Sequence, residues 1–194
     1  MVKIKKLLPV NPVRNLVLPA RKCGISNGVK LVIGFIFQKK SVVNKAESIL
    51  EKEFGKIDYE SQSIGFTYTD YYEPELGRNL KRKFIAFAKL IPPQSLAKIK
   101  VLTNSIEKKL SRMGLRLINI DPGYLDMARL ILASTKDYKH RICLNKGIYA
   151  EVTLFYGDRT FHPWEWTYPD YRAADYISVF NQIRDIYALQ IKNK

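Results

Sequence analysis

The stretch DYKHRICLNKGIYAEVTLFYGDRTFHPWEW, residues 137–166, decides how this chain is read, because its alternation and its turn signals assign side chains to the faces of a small antiparallel sheet. Asn145, Lys146 and Gly147 fit a three-residue hairpin loop whose last position takes positive φ and favours glycine. That loop sets Leu144 opposite Ile148, Ile142 opposite Ala150, His140 opposite Val152 and Tyr138 opposite Leu154, which makes one face largely apolar. The other face carries Arg141 against Glu151 and Lys139 against Thr153. A two-residue loop at Lys146 and Gly147 would mix the faces and is set aside. A second turn at Gly157 and Asp158, read as type II′, brings Phe161 to Leu154, His162 to Thr153 and Trp164 to Glu151. The polar face of this three-stranded meander then holds a carboxylate, a base and two cations within reach of one ligand. An ordinary solvated face with a cross-strand ion pair is the plainer alternative.

Upstream, Lys30 opens the expected ordered region. Leu31 to Phe37 is a continuous apolar run around Gly34, the pattern of a strand buried on both faces. Ser41 has the character of a helix N-cap, followed by Val42, Val43, Ala46, Ile49, Leu50 and Phe54 at helical spacing and by Gly55 as a stop. Extended segments follow at Ile57 to Glu60, at the alternating Ile64, Phe66 and Tyr68, and at Lys83 to Ile91. Pro92 and Pro93 open a helix near Ser95 with an apolar stripe of Leu96, Ile99, Thr103, Ile106, Leu110 and Met113, ending at Gly114. Leu115 to Ile120 reads as the next strand. The order β-α-β-β-α-β predicts an α+β protein with a ferredoxin-like core. The meander and a C-terminal helix over 173–191, with the stripe Tyr176, Val179, Phe180, Ile183, Ile186 and Tyr187, extend it.

The chain has 194 residues, of which 46% are hydrophobic, enough for one well-packed core. Its formal charge of +15 favours anionic partners without choosing among them. Residues 1–29 contain Lys3, Lys5, Lys6, Arg14, Arg21 and Lys22 and no acid, and Pro and Gly interrupt any periodicity. They predict a basic flexible extension before a single domain over 30–194. Cys23 and Cys143 form neither a CxxC pair nor a disulfide framework. No apolar run reaches the roughly 18 residues of a membrane span, and the start lacks a signal-peptide pattern. A cytoplasmic location without membrane association is the expectation. Cysteine-pair and HExxH metal motifs are absent, so no metal site is assigned and no cofactor is named.

Three segments carry unusual polar density at expected strand ends, where sites are usually built. They are Thr69 to Glu75, with Asp70 and Tyr72; Asp121 to Tyr124; and Trp166 to Arg172. Each also has a structural reading: Asp121-Pro122-Gly123 is good turn chemistry, Asp170 is placed to cap the last helix, and Glu73 before Pro74 reads as a solvated side chain.

The motifs FTYTDYYEPELG (66–77), NIDPGYL (119–125), TKDYKHRICL (135–144), GIYAEVTL (147–154) and WTYPDYR (166–172) occur in this order. Together they resemble a prokaryotic single-domain family of unknown function, some of whose members carry an automatic "GTP-binding protein" label. The resemblance spans Lys30 to the C-terminus and implies one domain, but it brings no established catalytic residues. Residues 11–29 depart from it as an insertion, since members run from a short Lys/Pro-rich start directly into the first strand.

A phosphate-cradling P-loop needs GxxxxGK[ST]. Gly55-Lys56 is followed by Ile57 and has Leu50 where the first glycine belongs, so it does not fit. No GxGxxG is present, and Thr135-Lys136-Asp137 lacks the spacing of a guanine-reading NKxD. Two classes of function remain, beside an assembly protein with no ligand. In the first, a charged aromatic pocket binds an anionic, nucleotide-like or phosphorylated small molecule through Lys139, Arg141 and Arg172. Tyr72, Tyr124 and Trp166 wall this pocket, Asp121 contributes to it, and Glu151, Asp70, His162 or His140 supplies acid/base chemistry. In the second, the protein is an RNA-binding module. Against that, the strand with Phe84 and Phe87 lacks the glycines of an RNP1 motif. The oligomeric state is not legible.

Overall fold

Lys30–Phe37 (β1) is buried along its whole length, as its unbroken apolar run demands. The computed structural model to which it belongs describes residues 28–192. In chain order the elements are β1, α1 (Lys40–Phe54), β2 (Ile57–Glu60), β3 (Ile64–Gly65), α2 (Glu73–Leu76), β4 (Lys81–Phe87), α3 (Leu96–Lys109), β5 (Ile118–Leu125), β6 (Arg129–Ser134), β7 (Ile142–Asn145), β8 (Ile148–Gly157), β9 (Thr160–Pro163) and α4 (Ala174–Lys192). This is a mixed α and β fold. One antiparallel sheet runs β2-β4-β1-β5-β6-β8-β7, with β3 joined to β4 and β9 to β8. The helical crossovers β1-α1-β2 and β4-α3-β5 each leave one strand between the two they connect.

Period two then divides the core. Leu31, Ile33, Phe35 and Phe37 of β1 meet Val43, Ala46 and Leu50 of α1 and Ile99 and Ile106 of α3 on one face. Val32 joins Phe84, Leu130 and Leu154 on the other, under Tyr176, Val179, Phe180 and Ile183 of α4. Helices thus cover both faces of the sheet's centre, and the stripe expected on the last helix is core.

Several expectations shift, each for a local reason. Helix α1 starts at Lys40 and has no side-chain cap, so Ser41 lies inside it. Strand β3 stops at Gly65, where Phe66 turns inward against Leu76 and Leu80. Met113 lies beyond α3 and is 90% exposed. Asp121-Pro122-Gly123 is not a turn: β5 runs through it, three residues later than expected. Strand β6 had no counterpart in the sequence-based reading.

Both hairpins use two-residue loops with positive φ at each position, as type I′ turns require. At the first, Lys146 (φ 55°) and Gly147 (φ 69°) pair Asn145 with Ile148, the alternative that was set aside. A bulge between Cys143 and Asn145 then absorbs one residue, so Ile142 still faces Ala150 as expected. At the second, Asp158 and Arg159 turn the chain, and Gly157 pairs with Thr160. His162 therefore faces Phe155 rather than Thr153, and β9 ends at Pro163, before Trp164 reaches Glu151. The extension expected over 1–29 lies, apart from Gly28 and Val29, outside the described residues. Val29 itself bridges to Ile91, and Tyr187 Oη donates to the Gly28 carbonyl at 2.8 Å.

Candidate functional site

Strands β5 and β6 pair only over Gly123–Leu125 and then part. Pro122 explains where. Ile120 turns its N–H and C=O away from β1, and Pro122, two residues on, presents its missing donor to that same side. A ladder to β6 cannot continue past it. The exposed edge of β5 is satisfied instead by helix α3, where Lys100 Nζ donates to Ile120 O at 2.9 Å and Glu107 Oε1 accepts from Ile120 N at 2.6 Å. These residues are seven apart, two turns on one helix face, and Asn104 lies between them.

The gap is a cavity of about 710 Å³, a size usual for small-molecule sites. Loop residues Tyr68, Tyr71, Tyr72 and Tyr168 wall it, and Ser134, Arg141 and Glu151 close its β6–β8 side. On the α4 side of the sheet, Arg82 is 3% exposed and bonded to Asp170 at 2.5 Å and to Asp121 at 3.4 Å. The rings of Phe66, Phe84, Tyr171 and Tyr176 surround its guanidinium at 5.3–5.9 Å. Gly34 leaves room for it, since a Cβ there would stand 3.2 Å from Nη1. Burial works against the Arg82 charge, but Tyr171, Asp170 and Asp121 hold its pKa well above the ordinary value.

Asp121 is the meeting point of the floor. Lys100 Nζ lies 3.4 Å from its Oδ1, and Asn119 Nδ2 donates to Oδ2 at 2.7 Å. Burial, and then Asp121, push the Tyr72 hydroxyl upward. Burial likewise raises the Glu107 carboxyl, although Lys100 and the Ile120 N–H oppose the shift. At the far end Arg116 joins Glu107 Oε2 at 3.2 Å to Glu75 Oε2 at 2.6 Å.

Arg141 is not in a strand. A turn closed by its own N–H to Tyr138 O delivers it to Glu151, with Nε to Oε2 at 2.7 Å and both side chains at most 5% exposed. Its remaining donors reach Ser134 Oγ, Lys136 O and Tyr168 Oη. The expected neighbours are therefore real neighbours, but they are buried rather than displayed on a solvated face. Behind them His140 Nε2 lies 3.2 Å from Glu151 Oε2, its ring stacked on Trp166.

Of the residues singled out from the sequence, Tyr72, Asp121, Arg141 and Glu151 line the cavity, and His140 touches it through Glu151. The others do not. Asp70 and Lys139 are exposed outside the lining. Tyr124 points to the face opposite Asp121, since three residues along a strand reverses direction, and packs with the α1–α3 core. His162 is stacked on Phe155 and bonded to Gly157 O. Trp166 Nε1 and Arg172 bond to backbone carbonyls of Val152, Thr167 and Glu165. Asp170, expected as a cap, does not cap α4; it binds Arg82 and lines the cavity.

Sequence reasoning missed Arg82, Lys100, Asn104, Glu107 and Arg116. A signal existed in the polar positions 100, 104 and 107, which repeat at helical spacing beside the apolar stripe. Lys and Glu so spaced ordinarily mark a solvated face. Among the described residues no cluster of three or more His, Cys, Asp or Glu is placed to hold a metal ion, and no helix is long and apolar enough to cross a membrane.

Site and sheet together define a mixed α and β protein with a polar cavity at a break in its strand ladder. The model of the family described as "Domain of unknown function (DUF4416)" matches residues 27–187, and the chain belongs to that family. No curated protein and no solved structure matches it.

Proposed function

We propose that the cavity between β5 and β6 binds a small anionic molecule, nucleotide-like or phosphorylated. The observation that carries this reading is the convergence of Lys100, Arg82 and Tyr72 around Asp121 on the floor of a space of about 710 Å³ with tyrosines at its mouth. Glu151 is engaged by Arg141, His140 and Thr153, so its role is to orient Arg141. Glu107, whose carboxyl burial raises, takes the acid/base role instead. Phe84 and Phe87, the aromatics of the strand compared with an RNP1 motif, are at most 1% exposed, which favours the pocket reading over the RNA-binding alternative. The strand order β2-β4-β1-β5 with two split crossovers supports a ferredoxin-like core. The exposed free thiol of Cys143 suits a cytoplasmic setting.

The test is a thermal-shift series with sugar phosphates and nucleotides on wild type, Arg141→Ala and Tyr72→Phe, the last keeping the ring. Stabilisation of wild type that is lost in Tyr72→Phe supports the site. Identical responses in all three proteins remove it.

A further inference from the structure

We infer that the ligand of this cavity carries one negative charge on a ring-bearing, otherwise neutral polar body, and that polyphosphates are rejected. This rests on the proposed function and narrows it. Five cationic side chains line the space: Arg82, Lys100, Arg116, Lys136 and Arg141. Four carboxylates, those of Glu107, Asp121, Glu151 and Asp170, line it too.

They pair off almost completely. Arg141 holds Glu151 at 2.7 Å, Arg82 holds Asp170 at 2.5 Å, Arg116 holds Glu107 at 3.2 Å, and Lys100 stands 3.4 Å from Asp121. Lys136 alone of the five has no carboxylate partner among the described residues. Its ammonium lies at the mouth, 4.4 Å from the centre of the Tyr71 ring and 3.1 Å from the Tyr71 hydroxyl. The side chain is exposed, so its charge is available to a ligand at little desolvation cost.

Deeper in, the uncommitted groups are neutral. The Asn104 amide and the Tyr72 hydroxyl line the cavity and make no side-chain hydrogen bond among the described residues. A ligand entering by the tyrosines therefore finds one spare cation beside rings that stack a planar group, and uncharged donors and acceptors beyond. A second or third negative charge would have to displace a carboxylate from its own cation or lie beside it, and in a partly buried site like charges repel strongly.

The experiment is calorimetric titration of the whole chain with a ring carboxylate and a cyclic nucleoside monophosphate, each singly charged, against inorganic pyrophosphate and a nucleoside triphosphate. The proteins are wild type, Lys136→Met and Asn104→Asp. Lys136 is exposed, so its replacement leaves folding intact. The expected result is that a singly charged ring compound binds wild type, weakens about tenfold in each variant, and outcompetes both polyphosphates by at least as much. Polyphosphate binding as tight as that of the best monoanion overturns the inference while leaving the anion site standing, and so does indifference to Lys136→Met. Failure of every anion, whatever its charge, removes the proposed function as well.

Discussion

Arg141 Nε and Glu151 Oε2 lie 2.7 Å apart, and neither side chain is more than 5% exposed, although one residue sits in a turn and the other in a strand. Removing one partner leaves the other charge buried. Glu151→Ala is expected to cost about 3–5 kcal/mol, as for other broken buried pairs. The double change Arg141→Leu with Glu151→Leu should recover a large part of it. Urea denaturation of wild type and the two variants measures this, and an equal loss in the double variant counts against a buried pair.

Lys100 seals the edge of β5 by its bond to Ile120 O. Lys100→Met keeps the length of the side chain but strands that carbonyl, and a loss of about 1–3 kcal/mol is expected. Hydrogen exchange should show faster exchange along β5, while α1 remains as protected as in wild type.

Gly123 lies where β5 and β6 begin to pair, and a Cβ there would collide with the Ile131 carbonyl oxygen. Gly123→Ala is therefore expected to destabilise by about 1–3 kcal/mol through overpacking. A midpoint of denaturation equal to that of wild type would show that the two strands separate without cost.

Arg159 holds φ at 65° in a two-residue turn where its side chain makes no hydrogen bond among the described residues. Arg159→Gly gives the Asp-Gly pair that type I′ turns prefer and should stabilise by about 1 kcal/mol. The rise in melting temperature is the readout, and a fall would mean that the arginine contributes something beyond the turn.

Burial raises Tyr72, Tyr171 and Tyr176, the last to about 12. A tyrosine whose folded pKa exceeds its unfolded value near 10 adds stability that is complete below pH 10 and is lost as pH rises through the folded pKa. Lys30, lowered by burial, acts in the opposite sense as pH approaches 10.5. The melting temperature should hold to about pH 10 and then drop towards pH 12. Ionisation of these phenols, followed by absorbance, should coincide with unfolding. Phenolates that form early in the folded protein would contradict their enclosure.

Much of the fold was legible because β1, α1, α3 and α4 announce themselves by period and by apolar runs. What escaped depended on contacts distant in sequence. Asp121-Pro122-Gly123 has the chemistry of a turn, yet β1 pairs with it along its length and makes it strand. The hairpin loops differ from the sequence expectation because glycine is the one readable mark of positive φ, whereas Lys146, Asp158 and Arg159 also adopt it. The adjacency of Arg141 and Glu151 was anticipated, but its route was not: a bulge at one end of β7 and a turn at the other compensate for a different loop. Lys100 and Glu107 read from sequence as a solvated helix face and Arg82 as an ordinary strand residue, because only the separation of β5 from β6 gives them something to face.

The break in the sheet has a wider consequence. Lys100 and Glu107 do the work of a missing strand while forming the base of the chamber, so the same few atoms answer to two demands. Natural variation or engineering that retunes what enters the chamber through these two positions will also move the melting point. Selectivity is more freely adjusted at its rim, at Lys136 and Tyr71, where no strand depends on the outcome.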